Sequence, residues 1–341
     1  MITLKDIAAT VGVTPSAVSL VINDRHEGRI NAETAQRIRT AVREMGYIPN
    51  QLARGLKTKR THTIGILSDR VASAPFAGHM LEGVQTAAWD AGYLGMVIDT
   101  TDRPELMEQS VRSLLQRDID GLIVAAEYHR QVTLPPIPPT IPLIVLDGVP
   151  HGASHADSVV PDEAGGAYAA TSHLLEKGHR RIAFCNVGGE RFVASRLRYE
   201  GYARALREHE AQVDPHHVIE LEDTATAEAY RPLQKLLSRK DRPTAIFCFS
   251  DQIAFAAYQA ADALDLRIPQ DLSIIGFDDQ RFLADALRPA LTTVRLPHYE
   301  MGAWAAQRLI SRIHGEIKRP PSATRIPCPL IVRGSAGPPS P

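Results

Sequence analysis

The sequence predicts a small all-α head with a helix-turn-helix and a hinge helix, followed by an α/β core of two subdomains with parallel sheets. Three observations predict it. Residues 3–48 show helical spacing of apolar positions, punctuated by capping residues. From Thr63 onward, strand-like and helix-like stretches alternate, the pattern of a parallel α/β sheet. That alternation then runs a second time in similar form.

The head begins with TLKDIAATVGVTPSAVSLVIN. Thr3 with Asp6 has capping-box spacing, with Asp in place of the usual Glu. Leu4, Ile7, Ala8 and Val11 then share one face, and Gly12 supplies a tight turn. Thr14 caps a second helix, and Pro15 takes its first position, where no backbone donor is needed. Ala17, Val18, Val21 and Ile22 make its inner face, leaving Ser16, Ser19, Leu20 and Asn23 to point elsewhere. Small and polar side chains on a short outward helix suit a helix read into the major groove. Asn31 with Thr34 starts a third helix through Ala35, Ile38, Val42 and Met45 to Gly46.

Residues 49–60, PNQLARGLKTKR, form a linker. Asn50 can cap a short helix through Ala53 to Leu56. About two turns without a large apolar face are unstable alone, so this helix forms only with help.

In the core, TIGILSD, LGMVID, GLIVAA and PLIVLD read as strands, with GHMLEGVQTAAWDAGY and PELMEQSVRSLLQRDI as helices between them. TLPPIPPTIP is too proline-rich for a helix. The second unit offers strands RRIAFCNV, HVIELE, TAIFCFS and LSIIGFDD. Its helices are GGAYAATSHLLEKGH, RYEGYARALREHE, AEAYRPLQKLLSRK and IAFAAYQAADAL. HYEMGAWAAQRLISRIHG fits a helix returning to the first unit, and RIPCPLIVRGS a closing strand in the second. The tail AGPPSP is expected to be disordered. The expected divisions are a head at 1–48, a hinge at 49–62 and a core at 63–334. Within the core, the first subdomain takes about 63–160 and 292–324, and the second about 161–291 and 325–334. The tail is 335–341.

Composition narrows the function classes. At 341 residues and 44% hydrophobic, the chain can bury several cores. The net charge of −1 hides an asymmetry. Residues 1–62 hold ten Lys and Arg against five Asp and Glu, while the remainder is acidic. A basic head on an acidic body points to a polyanion partner for the head. No segment has the ~18 apolar residues of a membrane span and no signal peptide opens the chain, so a cytoplasmic protein without membrane contact is expected. Cys185, Cys248 and Cys328 are widely spaced in apolar runs, which favours buried thiols over a metal site. No GxGxxG after a strand, GxxxxGK[ST], GxSxG or HExxH occurs, so no catalytic residue, metal or cofactor is assigned and the chain reads as no enzyme.

The words LKDIAATVGV, AVSLVIN, GYIPNQLARGL and THTIGIL, in this order, resemble the lactose/galactose repressor (LacI/GalR-type) family of transcriptional regulators. The duplicated α/β units resemble a periplasmic-binding-protein-like core. The resemblance implies a homodimer whose heads each read one half-site of a near-palindromic operator in double-stranded DNA. Thr14, Ser16, Ala17, Ser19, Leu20 and Asn23 belong to the reading helix and its start. Thr3, Asn31, Tyr47 and Asn50 would contact phosphates or sugars, and Arg29 would approach the backbone. Leu56 would be a minor-groove wedge with Ala53 beside it. It also implies a small-molecule effector between the core subdomains, closing or opening the cleft to alter hinge order. No leucine heptad follows the core within this sequence, so the tetramerising tail of some relatives is not expected.

In α/β sheets, ligands bind beyond the carboxyl ends of strands. Asp69, Asp147, Ser250 and Asp278 occupy such ends, Arg198 lies near a helix start, and Phe76 follows the first strand. An arginine, carboxylates and an aromatic face suit a polyhydroxylated ligand, a carbohydrate or related metabolite. Asp251 is expected to cap the helix DQIAFAAY. The family's aromatic after a GD-type turn falls near Thr224 and is missing here. A sugar-sensing protein in which DNA binding is secondary is the second reading. An α/β enzyme is a third and lacks its motifs.

Overall fold

The computed structural model describes residues 2–47, 60–72, 77–101, 103–152, 155–188 and 193–340. The chain divides into two compact units, Met1–Thr61 and His62–Pro341. In the first unit, α1 is Leu4–Val11, α2 is Pro15–Ile22 and α3 is Ala32–Glu44. Each helix begins on the capping residue its sequence supplies. Thr3 and Asp6 exchange bonds in a full capping box, Thr14 Oγ1 accepts from Ala17 N, and Asn31 Oδ1 accepts from Thr34 N. Gly12 ends α1 at φ 75°, a left-handed conformation that glycine adopts without steric cost. Ile7, Val18, Val21 and Ile38 are fully buried or nearly so and close a small core between the three helices.

The second unit holds two six-stranded sheets. In the first, β1 (Thr63–Asp69), β2 (Leu94–Asp99), β3 (Gly121–Val132), β4 (Leu143–Pro150) and β5 (Asp157–Pro161) are all parallel. Helices α4 (Gly78–Asp90) and α5 (Pro104–Leu115) connect the first three. The chain then passes through α6 (Glu163–Glu176) to the second sheet. There, β6 (Ile182–Val187), β7 (Val218–Leu221), β8 (Ala245–Cys248), β9 (Ser273–Asp278) and β10 (Thr292–Arg295) are parallel. Helices α7 (Val193–Glu208), α8 (Thr226–Leu237), α9 (Asp251–Asp262) and the short α10 (Arg281–Ala284) lie between them. Then α11 (His298–Ile313) returns to the first subdomain, β11 (Ala323–Ile326) joins its sheet beside β5, and β12 (Leu330–Ile331) closes the second sheet antiparallel to β10. The orders β2-β1-β3-β4-β5-β11 and β7-β6-β8-β9-β10-β12 match, so the two subdomains repeat one topology.

Apolar clusters cover both faces of each sheet, which is why the strands read as continuous hydrophobic runs rather than alternating ones. Helices α4 and α11 approach so closely that a Cβ on Gly302 would overlap the Met80 carbonyl, and one on Gly83 the Tyr299 carbonyl.

Four expectations need correction. Strands β5 and β10 were not anticipated; they are short and buried, and lack a clear pattern. Residues 292–295 therefore belong to the second subdomain's sheet. The single closing strand is two strands in different sheets, split where Pro327 and Pro329 remove backbone donors. The start of the tail is packed. Ser335 is fully buried, its carbonyl accepts from Ile274 N, and Gly337 bonds through both N and O with Ser273 and His179. The three cysteines are free and buried, and burial pushes their thiols up. Among the described residues, no single helix is long and apolar enough to cross a membrane.

Candidate functional site

The head presents a short helix on a compact support. Helices α1 and α2 turn through 105°. On α2, Ser16 is exposed, while Ala17, Ser19 and Leu20 are half-buried. At its C-terminal cap, exposed Asn23 folds back, donating from Nδ2 to Ser19 O at 2.7 Å. Thr3, Thr14 and Asn31 are exposed caps, which places polar groups beside helix N-termini, the end of a helix that attracts phosphate. Arg29 is exposed. Tyr47 is half-buried and packs against the head core. Asn50, Ala53 and Leu56 lie outside the described residues.

The core carries a cleft of about 310 Å³ lined from both subdomains, by Asp147 on β4 and by Arg198, Ser250 and Asp278 in the second. Asp147, at φ 56°, and Asp278, at φ 113°, hold backbone conformations that non-glycine residues rarely adopt. Such strain costs about 1–3 kcal/mol per residue and clusters at functional sites. Both residues line the cleft.

Arg198, buried on α7, organises the floor. Its Nε donates to Glu163 Oε2 at 2.7 Å, its Nη1 donates to Phe249 O, and its Nη2 lies 3.8 Å from Asp278 Oδ1. The guanidinium carbon sits 3.6 Å from the Phe277 ring centroid and 4.3 Å from that of Phe249. Two of its three nitrogens are thus hydrogen-bonded to protein groups, while Nη2 stands beyond hydrogen-bond distance of Asp278. Burial disfavours its charge, yet the carboxylates of Glu163 and Asp278 outweigh this and raise its pKa.

The acids respond in kind. Burial pushes Asp278 up to about 7 against the pull of Arg198. Burial, then the charge of Glu163, holds Asp147 well above the usual carboxylate range. Burial lowers His129, which favours the neutral ring. Three polar atoms in this lining are buried without a hydrogen-bond partner: Asp147 Oδ1, Gln280 Oε1 and His129 Nδ1. Buried polar groups are seldom left unsatisfied, so these point to a ligand's place.

Of the other expected residues, Asp69 is not in the lining; it pairs with Arg130. Phe76 lies outside the described residues. Ser250 lines the cleft, but its hydroxyl accepts from Ile253 N at 3.2 Å and caps α9. Asp251, expected as that cap, instead accepts from Gln280 N at 2.7 Å and Thr293 Oγ1 at 2.6 Å. Thr224 does line the cleft where an aromatic was expected from the resemblance. Glu163, Phe249, Gln280 and His129 escaped the sequence reading. Only Glu163 left a signal, an acid at the start of the helix DEAGGAYAATSHLLE.

Comparison with known proteins places both units. Residues 3–50 match the family described as bacterial regulatory proteins, lacI family, and residues 171–336 match a periplasmic binding protein-like domain. A ribose operon repressor of Haemophilus influenzae is 34% identical over 313 residues, covering 92% of each chain. The HTH-type transcriptional repressor PurR of Aliivibrio salmonicida is 33% identical over 316 residues, again covering 92% of each. Among solved structures, the transcriptional regulator CelR in complex with cellobiose superposes with a TM-score of 0.67 at 28% identity. That match covers 98% of this chain and 100% of CelR.

Proposed function

The chain belongs to the lacI family of bacterial regulatory proteins and is a transcriptional repressor of that family; we propose that it acts as a cytoplasmic homodimer on a near-palindromic operator, controlled by a small carbohydrate-like effector in the core cleft. The observation that carries the effector reading is the set of unpartnered buried polar atoms, Asp147 Oδ1, Gln280 Oε1 and His129 Nδ1, around one cavity. A closed polar site with unmet hydrogen bonds is what a ligand with several hydroxyls completes. The DNA reading rests on the basic head and the exposed caps and outward face of α2.

In this reading Thr3, Asn31, Tyr47 and Asn50 contact the sugar-phosphate backbone and Arg29 approaches it. Ser16, Ala17, Ser19, Leu20 and Asn23 face base edges. Ala53 and Leu56 of a hinge helix enter the minor groove. Asp147, Arg198 and Asp278 form the effector floor, with Arg198 orienting the acids. Effector changes the relation of the two core subdomains and, through it, the order of the hinge. The division into a head at 1–48, a hinge at 49–62 and a core from 63 belongs to the same proposal.

The test is fluorescence anisotropy of the full chain on labelled DNA from the promoter region of its own gene, with and without a panel of neutral sugars. Nanomolar binding that falls steeply with salt is expected, each phosphate contact adding about −0.9 to the log–log slope. At least one sugar should shift the affinity. A salt slope near zero refutes the head assignment, and a sugar that binds the cleft without changing operator affinity refutes the regulatory link.

A further inference from the structure

Helix α2 carries no cation and no amide side chain. Its eight residues, PSAVSLVI, include no Arg, Lys, Asn or Gln, the side chains that bond a base edge at two points. The positive charge of the head lies elsewhere. Among the described residues, Lys5 is on α1, Arg25 and Arg29 follow α2, and Arg37, Arg39 and Arg43 are on α3. Two of these are engaged within the head: Arg37 Nη2 donates to Val11 O at 2.8 Å, and Arg39 Nη2 donates to Asp24 Oδ1 at 3.2 Å. Asn23, the C-terminal cap of α2, donates from Nδ2 to Ser19 O at 2.7 Å, which turns its amide back onto the helix.

What α2 presents instead is an apolar side chain among hydroxyls. Ser16 and Leu20 stand four residues apart, with Ser19 beside them, so the three share a face. The opposite face holds Val18 and Val21, buried in the head core, and Ile22, packed against it. Leu20 is half-buried, yet it is neither in that core nor among the side chains packed on it. Serine hydroxyls both donate and accept, so they fit any base edge and select none strongly. The remaining means of discrimination in a major groove is apolar contact, and one base offers a methyl group there, thymine at C5.

We propose that Leu20 is a specificity-determining residue that reads thymine methyl groups, so that the bases facing α2 are selected by apolar contact rather than by paired hydrogen bonds. The inference rests on α2 being the helix that enters the major groove. Affinity and selectivity then have separate sources. The exposed cations of the head hold phosphates of any sequence, and Leu20 adds the preference.

The experiment begins with selection of duplexes from a random pool by the full-length chain. The thymines of the selected half-site are then replaced one at a time by deoxyuridine, and affinity is read by fluorescence anisotropy. Uracil lacks only the methyl and keeps the base pair. That methyl lies in the major groove, so the replacement leaves the minor-groove edges unchanged. At one or more half-site thymines, affinity is expected to fall roughly fourfold, the worth of one buried carbon. Leu20→Ala should bind the thymine and uracil duplexes alike at that position, and Leu20→Met should keep the difference. Both variants should melt as wild type does, because Leu20 is outside the core. Uracil duplexes that bind as tightly as their parents at every half-site position overturn the proposal. A Leu20→Ala variant that melts normally and keeps the full difference overturns the role of Leu20. If that variant does not fold, the wild-type thymine and uracil pairs still decide the methyl rule. Failure of the DNA reading would look different: no duplex is enriched, and none binds in a salt-dependent way.

Discussion

Arg198→Met tests the organisation of the cleft floor most directly. Methionine keeps the unbranched stem between the Phe249 and Phe277 rings and removes the charge. Arg198 is 3% exposed, and its partner Glu163 is 2% exposed. The substitution leaves Glu163 Oε2 and the Phe249 carbonyl without their donor, and Asp278 without its nearest cation. Breaking a buried pair by removing one partner costs about 3–5 kcal/mol, because the other charge stays buried and uncompensated. The loss must depend on pH. Asp278 already sits at about 7 in the folded chain, above its usual 3.8, so folding takes up a proton between those values. The folded state binds more protons than the unfolded one there, and this residue's contribution to stability falls as pH rises through that window. Arg198 pulls that value down. Without it the window extends upward, and the deficit of the variant grows above pH 7 and shrinks toward pH 5. Urea unfolding followed by circular dichroism at pH 5.5 and pH 8 measures both deficits. Equal deficits at the two pH values, or none at pH 8, would refute the view that Arg198 neutralises buried acids.

Three further outcomes are expected. Asp157, 1% exposed, accepts from Arg308 Nη2 and Arg312 Nε at 2.8 Å each and from Ser322 N at 2.9 Å, tying β5 to α11. Burial opposes its charge, but these donors hold it at about 2, so its stabilisation is complete above its ordinary 3.8 and lost as pH falls through about 2. Asp157→Asn should cost about 3–5 kcal/mol at pH 7, and urea midpoints should converge with wild type on acidification. Gly302→Ala forces a methyl into the Met80 carbonyl across the α4–α11 contact and should cost about 1–3 kcal/mol, read as a lower urea midpoint; a neutral result would show that the helices can part freely. Leu56→Ala should weaken operator binding strongly with melting unchanged, since a groove wedge buries its apolar surface only in the complex. A melting drop with full operator binding would make Leu56 a core residue instead.

What the sequence disclosed follows the range of the interactions involved. The head was legible because each helix start is decided within three residues: Thr3 by Asp6, Thr14 by Ala17, Asn31 by Thr34. The alternation of the core was legible because all but one of its helices and half of its strands span at least six residues, enough for a periodic signal. Strand β5 was not. It has five residues and opens on a buried acid whose arginine partners lie more than 150 positions away, so nothing local marks it as interior. Missing β5 hid Glu163, because a helix start means little until the strand feeding it is known. Arg198 and Asp278 could be nominated by position, but their work could not. The direction of the guanidinium depends on Glu163, 35 residues away, and on the Phe249 carbonyl, 51 away. Asp278 and Asp279 show the same limit at its sharpest. They are neighbours with positive φ at the end of one strand. The first turns to Arg198 and the cleft, while the second pairs with Arg333 at 2.7 Å. Two identical side chains at adjacent positions thus take a cleft-lining and a structural role. The backbone that separates them is held by Gln280 N on Asp251, a bond to another helix that no local pattern encodes.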